Sequence, residues 1–140
     1  MKLKEFIVTE AIVPQINASD RDGALRELVA SLAAAGALPA DAIDEVVVAL
    51  VEREQRGSTG FGKGVAVPHV KHPRVTKMAG TVGRSVNGID FAALDHQPVY
   101  SIVLLLSPEN QPQQHLNAMN IVFTNLQKDM LHFPDSLTLQ

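Results

Sequence analysis

The feature that most constrains the fold is a nearly continuous apolar run, Val99–Leu106. A strand that is apolar at almost every position is typical of one covered on both faces. Such a strand needs structure packed on each side, because a bare sheet face would expose its apolar side chains to water. The run therefore predicts a domain built in layers.

Three segments carry the spacing of amphipathic helices. Ser19 or Asp20 can cap the start of the first, and Gly36 can take the left-handed conformation that ends it. The second runs from about Pro39 to Glu54, and the third from about Pro112 to Lys128. The apolar faces of the first two helices consist of Leu25, Leu28, Val29 and Leu32, and of Ile43, Val46, Val47 and Leu50. The residues predicted to face inward in the third are Leu116, Met119, Phe123 and Leu126.

Shorter stretches complete the predicted fold. Val65–Val67 and Lys77–Ser85 are strand-like, and Asn87-Gly88 is a dipeptide typical of hairpin turns. Helices on either side of several strands, one of them fully buried, make an α/β layered domain. Because domains average about 150 residues, residues 1–140 are predicted to form a single domain.

Composition excludes several classes of protein. The chain is 46% apolar and 19% charged, which rules out a disordered chain. It has no cysteine, so disulfides, thiol catalysis and thiolate zinc sites are excluded. The net charge of −3, with no basic block, supplies little attraction for nucleic acid. With no apolar run of about eighteen residues and no secretory signal, we expect a soluble cytoplasmic protein with no direct membrane insertion.

The glycine-rich segment 57–69, GSTGFGKGVAVPH, is the most chemically informative part of the chain. It is not a P-loop, because Lys63 is followed by glycine, and it lacks the third glycine of a dinucleotide fingerprint. Its exposed backbone N–H groups and two hydroxyls make a plausible cradle for a phosphate. Pro68 cannot donate to a strand ladder, so His69 is expected at a strand end.

Two further polar residues stand out. His115 lies on the predicted inward stripe of the third helix, where an imidazole needs a partner. It is either a core histidine bonded to a backbone carbonyl or part of a site near the helix N-terminus, which favours a neutral ring and a nearby anion. Arg53 ends the second helix just before the glycine loop. It can pair with the helix C-terminus or serve the same site.

The segment 53–69, REQRGSTGFGKGVAVPH, closely resembles the signature R-E-x-x-G-S-T-G-x-G-x-G-x-A-x-P-H. This is the signature of enzyme IIA of the bacterial sugar phosphotransferase system, fructose/mannitol type, which includes nitrogen-regulatory members. Every fixed position matches. The resemblance continues through segment 91–99, the strand end 104–108 and His115-Leu116, and so covers about residues 3–128. It implies an α/β domain with a mixed β-sheet flanked by helices.

The resemblance also implies the chemistry. The family's phosphorylated histidine maps onto His69, its second active-site histidine onto His115, and its arginine onto Arg53. His69 would accept a phosphoryl group from the phosphohistidine carrier HPr and pass it to a IIB partner. Ser58 and Thr59 could bind the phosphate or simply form the turn. No cofactor and no metal is implied.

Alternatives to this carrier function remain open. The second class is a regulatory IIA-like protein whose His69 phosphorylation state controls binding to other proteins. The third is a metal-dependent hydrolase using His69, His115 and a carboxylate, which the sequence disfavours because no H-x-x-x-H ligand spacing is present. Three side chains, His72, His96 and His132, are predicted to lie on the surface.

Two other regions carry expectations. Lys63, Lys71, His72 and Arg74 would form either a solvated loop or a basic rim near His69 that recognises an acidic partner. Residues 130–140 depart from the family, with Pro134 interrupting any helical period. The family's final helix is therefore expected to be missing or divergent, and a partner or a second copy in a homodimer would then cover exposed apolar surface.

Overall fold

A computed structural model describes residues 2–129 of the protein. The elements, in chain order, are α1 Arg21–Ala34, α2 Ile43–Gln55, β1 Gly60–Gly62, β2 Val65–Ala66, β3 His69–His72, β4 Ala79–Ile89, β5 Val99–Pro108 and α3 Pro112–Asp129. Short 3-10 turns occupy Leu3–Glu5, Thr9–Ala11 and Ala40–Ala42. The predicted α/β class is confirmed. The expectation of a missing or divergent final helix concerns residues 130–140 and lies outside the described residues.

Strand β5 is the centre of a mixed sheet. On one side β4 pairs with it antiparallel, from Ala79 opposite Leu106 onward. On the other side β2 and then β3 pair with it parallel, and β1 pairs antiparallel with β2. The chain leaves the ladder between β2 and β3 at Pro68, which has no N–H to donate, while the Pro68 carbonyl accepts from Leu105. His69 therefore begins a new short strand instead of standing in the middle of a long one.

The two faces of β5 are covered by different layers. Ile102, Leu104 and Leu106 are buried in a cluster with the apolar faces of α1 and α2. Val103 and Leu105 belong to a second cluster, with Met119 and Val122 of α3 and Leu3 and Phe6 of the N-terminal turn. This alternation confirms the prediction that the apolar run is a strand covered on both faces. In the described part of the chain, no helix is long and apolar enough to cross a membrane.

The first two helices begin and end within a few residues of the predicted positions. Asp20 caps α1 by accepting from the Gly23 N–H at 2.7 Å, and Gly36 follows the helix with a φ of +84°. The second helix begins at Ile43, after a 3-10 turn at Ala40–Ala42, and ends at Gln55. Its last turn brings Arg53 to the glycine loop.

The predicted hairpin turn at Asn87-Gly88 is wrong. Strand β4 continues through this dipeptide to Ile89, with an irregularity in its pairing to β5 between Arg84 and Ile89. Gly88 has a φ of +84°, and an added Cβ would lie 2.9 Å from the Pro98 side chain. The glycine thus serves a kink and a close approach inside the strand, and the chain reverses only in residues 90–98.

The predicted inward face of α3 is partly wrong. Leu116 is 57% exposed and Phe123 is 38% exposed, whereas Ala118, Met119 and Val122 are buried. The buried stripe is centred on His115 and the residues three, four and seven positions after it, so Leu116 and Phe123 lie about 100° around the helix. The polar His115, which was also predicted to lie on the inward stripe, is buried there as expected, whereas Leu116 is not.

Candidate active site

The first residue of β3, His69, is half-buried and has a defined proton arrangement. Its Nδ1 atom lies 2.8 Å from the carbonyl oxygen of Val67. A carbonyl can only accept, so this hydrogen bond places the proton of the neutral ring on Nδ1. The lone pair of the ring is then on Nε2, which is the atom available to act as a nucleophile.

The surroundings of His69 favour its neutral form. Burial is the largest effect and lowers the pKa of His69 below its ordinary value of 6.5. The charges of Arg53 and Lys71 act in the same direction, while the Val67 hydrogen bond and the charge of Glu54 oppose them. At neutral pH the ring is therefore unprotonated at Nε2 and able to attack an electrophile.

The second histidine, His115, lies next to His69 although it belongs to helix α3 and not to the sheet. His115 lies in the first turn of α3, is only 6% exposed, and has its Nδ1 atom 2.7 Å from the Ser107 hydroxyl oxygen. Its ring centroid is 5.4 Å from that of His69, and the two ring planes are inclined at 44°. Burial, followed by the charges of His69 and Lys71, lowers the pKa of His115 to about 4. The structure thus brings together two neutral imidazoles from distant parts of the chain.

The third predicted residue, Arg53, is half-buried in the last turn of α2. Its Nη1 atom donates to the carbonyl oxygen of Gly57 at 2.7 Å, which ties the helix end to the glycine loop. The same guanidinium is close enough to His69 to lower its pKa. Arg53 therefore has the helix-end contact that its position predicted, and it also supplies positive charge beside the histidine.

Next to Arg53 in the sequence is a buried carboxylate, Glu54, for which no role was predicted. Glu54 is 4% exposed and accepts hydrogen bonds from both the backbone N–H of Thr59, at 3.1 Å, and the Thr59 hydroxyl. These bonds hold the glycine loop against the end of α2. A signal was present: Glu54 continues the inward stripe of Val47 and Leu50, where an unpaired acidic residue would be costly.

The two predicted phosphate-binding hydroxyls are both engaged within the protein. The Ser58 hydroxyl donates to the carbonyl oxygen of Phe91 and accepts from the Gly60 N–H at 2.9 Å. The Thr59 hydroxyl donates to Glu54. Both contacts shape the loop, and direct phosphate binding by either hydroxyl stays a prediction.

The predicted basic rim is only partly assembled near His69. Lys71 is exposed, and its charge lowers the pKa of both histidines. Arg74 instead forms ion pairs with Asp41 of the 3-10 turn, at 2.6 Å, and with Glu45 of α2, at 3.2 Å.

Of the three predicted surface histidines, His96 is exposed, as expected. His72 is half-buried, and its Nδ1 accepts from the Arg74 N–H, so it is not a free surface residue. The third, His132, lies outside the described residues. Within residues 2–129, no three His, Asp or Glu side chains are grouped closely enough to hold a metal ion.

Comparison with known proteins identifies the family of this chain. Residues 5–131 match the family described as phosphoenolpyruvate-dependent sugar phosphotransferase system, EIIA 2. The chain belongs to this family. It is accordingly a phosphoryl carrier of the EIIA type, as the signature in segment 53–69 had indicated.

The named relatives of this EIIA chain include nitrogen regulatory proteins and fructose-specific EIIA proteins. A nitrogen regulatory protein of Bradyrhizobium diazoefficiens is 38% identical over 119 residues, covering 85% of this chain and 76% of that protein. The fructose-specific EIIABC component of Bacillus subtilis is 32% identical over 130 residues, covering 92% of this chain but only 20% of the larger protein.

Among solved structures, the nitrogen regulatory protein IIA-Ntr from Neisseria meningitidis superposes with a TM-score of 0.81 at 25% identity. The match covers 96% of this chain and 94% of that one. The mixed sheet with helices on both faces is therefore the fold of the family.

Proposed function

We propose that His69 carries the phosphoryl group in this EIIA protein and receives it from a phosphohistidine carrier of the HPr type. The observation that carries the proposal is the Nδ1 contact with the Val67 carbonyl, which leaves the Nε2 lone pair of a neutral, half-buried ring free. Phosphoryl transfer needs mainly an aligned nucleophile and compensation of negative charge. The neutral His69 ring would be the nucleophile, and the charges of Arg53 and Lys71 would compensate the negative charge.

The transfer step balances without moving a proton. The Nε2 lone pair of His69 forms the new bond to phosphorus as the bond from phosphorus to the donor's ring nitrogen breaks, and that electron pair stays with the donor nitrogen. The Nδ1 proton of His69 remains in its hydrogen bond to Val67. The ring then carries a positive charge beside the negative phosphoryl oxygens, which stabilises the product.

Arg53 and His115 would stabilise the phosphoryl group in this step. The guanidinium of Arg53 is permanently charged and presents planar donors that suit phosphoryl oxygens. His115, 5.4 Å from His69 between ring centroids, lies within reach of a group bound at Nε2. The charge of Lys71 adds to the positive potential at both rings.

We propose that the phosphorylation state of His69 is read as a signal by a protein partner. The support is that relatives matching most of this chain, in sequence and in structure, are named nitrogen regulatory proteins. The second candidate is onward transfer to a IIB partner, which the similarity to the fructose-specific EIIABC component favours.

Phosphorylation with labelled phosphoenolpyruvate, enzyme I and HPr tests the carrier function. We expect label that is stable to base and lost in acid, as for a phosphohistidine. His69→Ala should abolish it, and His96→Ala, at an exposed histidine, should keep it. Label that persists in the His69 variant would refute the assignment.

A second experiment separates the two fates of the phosphoryl group. Labelled protein is mixed with IIB domains of the fructose and mannitol types, and label on a IIB cysteine is measured. We expect no transfer on the time scale of His69 labelling if the group serves as a signal. Rapid transfer to a IIB cysteine would support the second candidate instead.

A further inference from the structure

We propose that Ser107 is a positioning residue that holds the proton of neutral His115 on Nε2, so that His115 donates a hydrogen bond to the phosphoryl group. The proposal rests on the function proposed for His69. It is carried by the 2.7 Å contact between the Ser107 hydroxyl and Nδ1 of His115, and by the type of group that each histidine has as its partner.

The sheet holds Ser107 in a fixed position for this contact. It is fully buried and lies one residue before the end of β5, where it pairs in register with Lys71 of β3. Its neighbours in the strand are packed into the core, so the position of its side chain is determined by the sheet. His115 meets it from the first turn of α3, where its backbone N–H donates to Gln111.

The two histidines have chemically different partners at Nδ1. For His69 the partner is a carbonyl, which can only accept and therefore requires the proton on Nδ1. For His115 the partner is a hydroxyl, which can donate. A hydroxyl that donates to Nδ1 requires the proton of the neutral His115 ring to be on Nε2.

This arrangement is the productive one for a bound phosphoryl group. Phosphoryl oxygens accept hydrogen bonds, so a lone pair on Nε2 of His115 would repel them, whereas an N–H at the same atom stabilises them. The carbonyl beside His69 thus prepares a nucleophile, and the hydroxyl beside His115 prepares a donor. Both rings are ready for their different roles before a phosphoryl group arrives.

The proton positions can be measured directly in the unmodified protein. Two-dimensional nitrogen NMR on the full chain, labelled at histidine, distinguishes a protonated from an unprotonated ring nitrogen. For His115 we expect the proton on Nε2 and a lone pair on Nδ1, and for His69 the reverse. A proton on Nδ1 of His115 would overturn the proposal, even if His69 is phosphorylated as expected.

Variants at Ser107 test the consequence for transfer. Ser107→Ala should slow the labelling of His69 by about tenfold, the effect of losing one hydrogen bond of ordinary strength, with little change in the KM for phospho-HPr. It should also mix the two protonation forms of His115 in the NMR spectrum. Ser107→Thr keeps the hydroxyl and should recover both the rate and the single form.

Ser101→Ala is the matched control, since Ser101 is on the same strand and outside the site. A Ser107→Ala protein that labels as fast as this control would overturn the proposal, as would a Ser107→Thr protein as slow as Ser107→Ala. If no variant or wild-type protein is labelled, the function proposed for His69 fails, while the NMR result still decides the role of Ser107.

Discussion

The imidazole rings of His69 and His115 lie 5.4 Å apart, centroid to centroid, and are inclined at 44°. Each ring is held through Nδ1, one by the Val67 carbonyl and the other by the Ser107 hydroxyl. Both Nε2 atoms are therefore left for a third group. The proximity also couples the charges of the two rings, since a charge on His69 lowers the pKa of His115.

Phosphorylation of His69 should reverse this electrostatic effect on its neighbour. The pKa of His115 is about 4 in the unmodified protein, because burial and nearby positive charge disfavour the imidazolium. A phosphoryl group on His69 brings negative charge close to the ring, so we expect the pKa of His115 to rise by at least about one unit. Proton NMR titration of the phosphorylated and free proteins measures this, and an unchanged pKa would mean that the group is not near His115.

The stability of the fold should fall as the pH is lowered, in part because of His115. The unfolded chain binds a proton at His115 near 6.5, whereas the folded protein does so only at about 4. Between these values the unfolded state binds more protons, so acid favours unfolding, by up to about 3 kcal/mol for this group, since each pKa unit corresponds to about 1.4 kcal/mol. Below about 4 this contribution is fully lost, and above 6.5 it is fully present.

Urea unfolding at about pH 7 and about pH 5 measures this dependence. The His115→Gln variant has no titrating ring at this position, so its free energy of unfolding should decline less over the same range. His69, whose pKa is also lowered, titrates in both proteins and cancels in the comparison. Equal declines in the two proteins would contradict the prediction.

Local signals predicted some parts of this fold and missed others for physical reasons. Strand β5 could be predicted because a continuous apolar run of this length is typical of a strand buried on both faces. Helix α1 could be predicted because its apolar spacing begins directly after Asp20, which can cap a helix. The continuation of β4 through Asn87-Gly88 could not be predicted, because the irregular pairing of β4 and the approach of Pro98 to Gly88 depend on a strand that follows later in the chain.

The site shows the same division. His69 and Arg53 fall inside one continuous signature, and His115 stood out as a polar residue on an apolar stripe. The Ser107 contact could not be predicted, because one serine at the end of an apolar strand has no local signal, and its partner depends on where α3 begins. Glu54 was missed although its position on the buried stripe of α2 could have indicated it.

Replacing Glu54 should destabilise the loop that precedes His69. Glu54→Ala leaves the backbone N–H and the hydroxyl of Thr59 buried without their partner, at a cost of about 2 kcal/mol. Glu54→Gln keeps an acceptor for one of the two bonds and should lose less. Urea unfolding gives the free energies, with Glu52→Ala, at an exposed site on the same helix, as the control. A Glu54→Ala protein as stable as this control would contradict the structure of the loop.

The Thr81 hydroxyl should be dispensable for stability. Thr81 is fully buried in β4 opposite Leu104, and its Oγ1 atom has no hydrogen-bond partner among the described residues. Thr81→Val replaces the hydroxyl by a methyl group of similar size and removes the desolvation penalty, so we expect a gain of about 1 kcal/mol in the free energy of unfolding. The exposed Thr76→Val is the control for the change of residue type. A loss of stability in the Thr81 variant would show that the hydroxyl has a partner in solution.

Arg53 should affect both the charge on His69 and the rate of transfer. Its guanidinium lowers the pKa of His69, so Arg53→Ala should raise that pKa and slow the labelling of His69 by about a hundredfold, through lost stabilisation of the phosphoryl oxygens. Arg53→Lys keeps the charge but not the planar pair of donors, and should restore the pKa while recovering only part of the rate. Arg56→Ala, at an exposed arginine three residues away, controls for net charge. NMR titration of His69 and single-turnover labelling measure the two effects, and an Arg53→Ala protein that matches the Arg56 control in both would place the guanidinium outside the site.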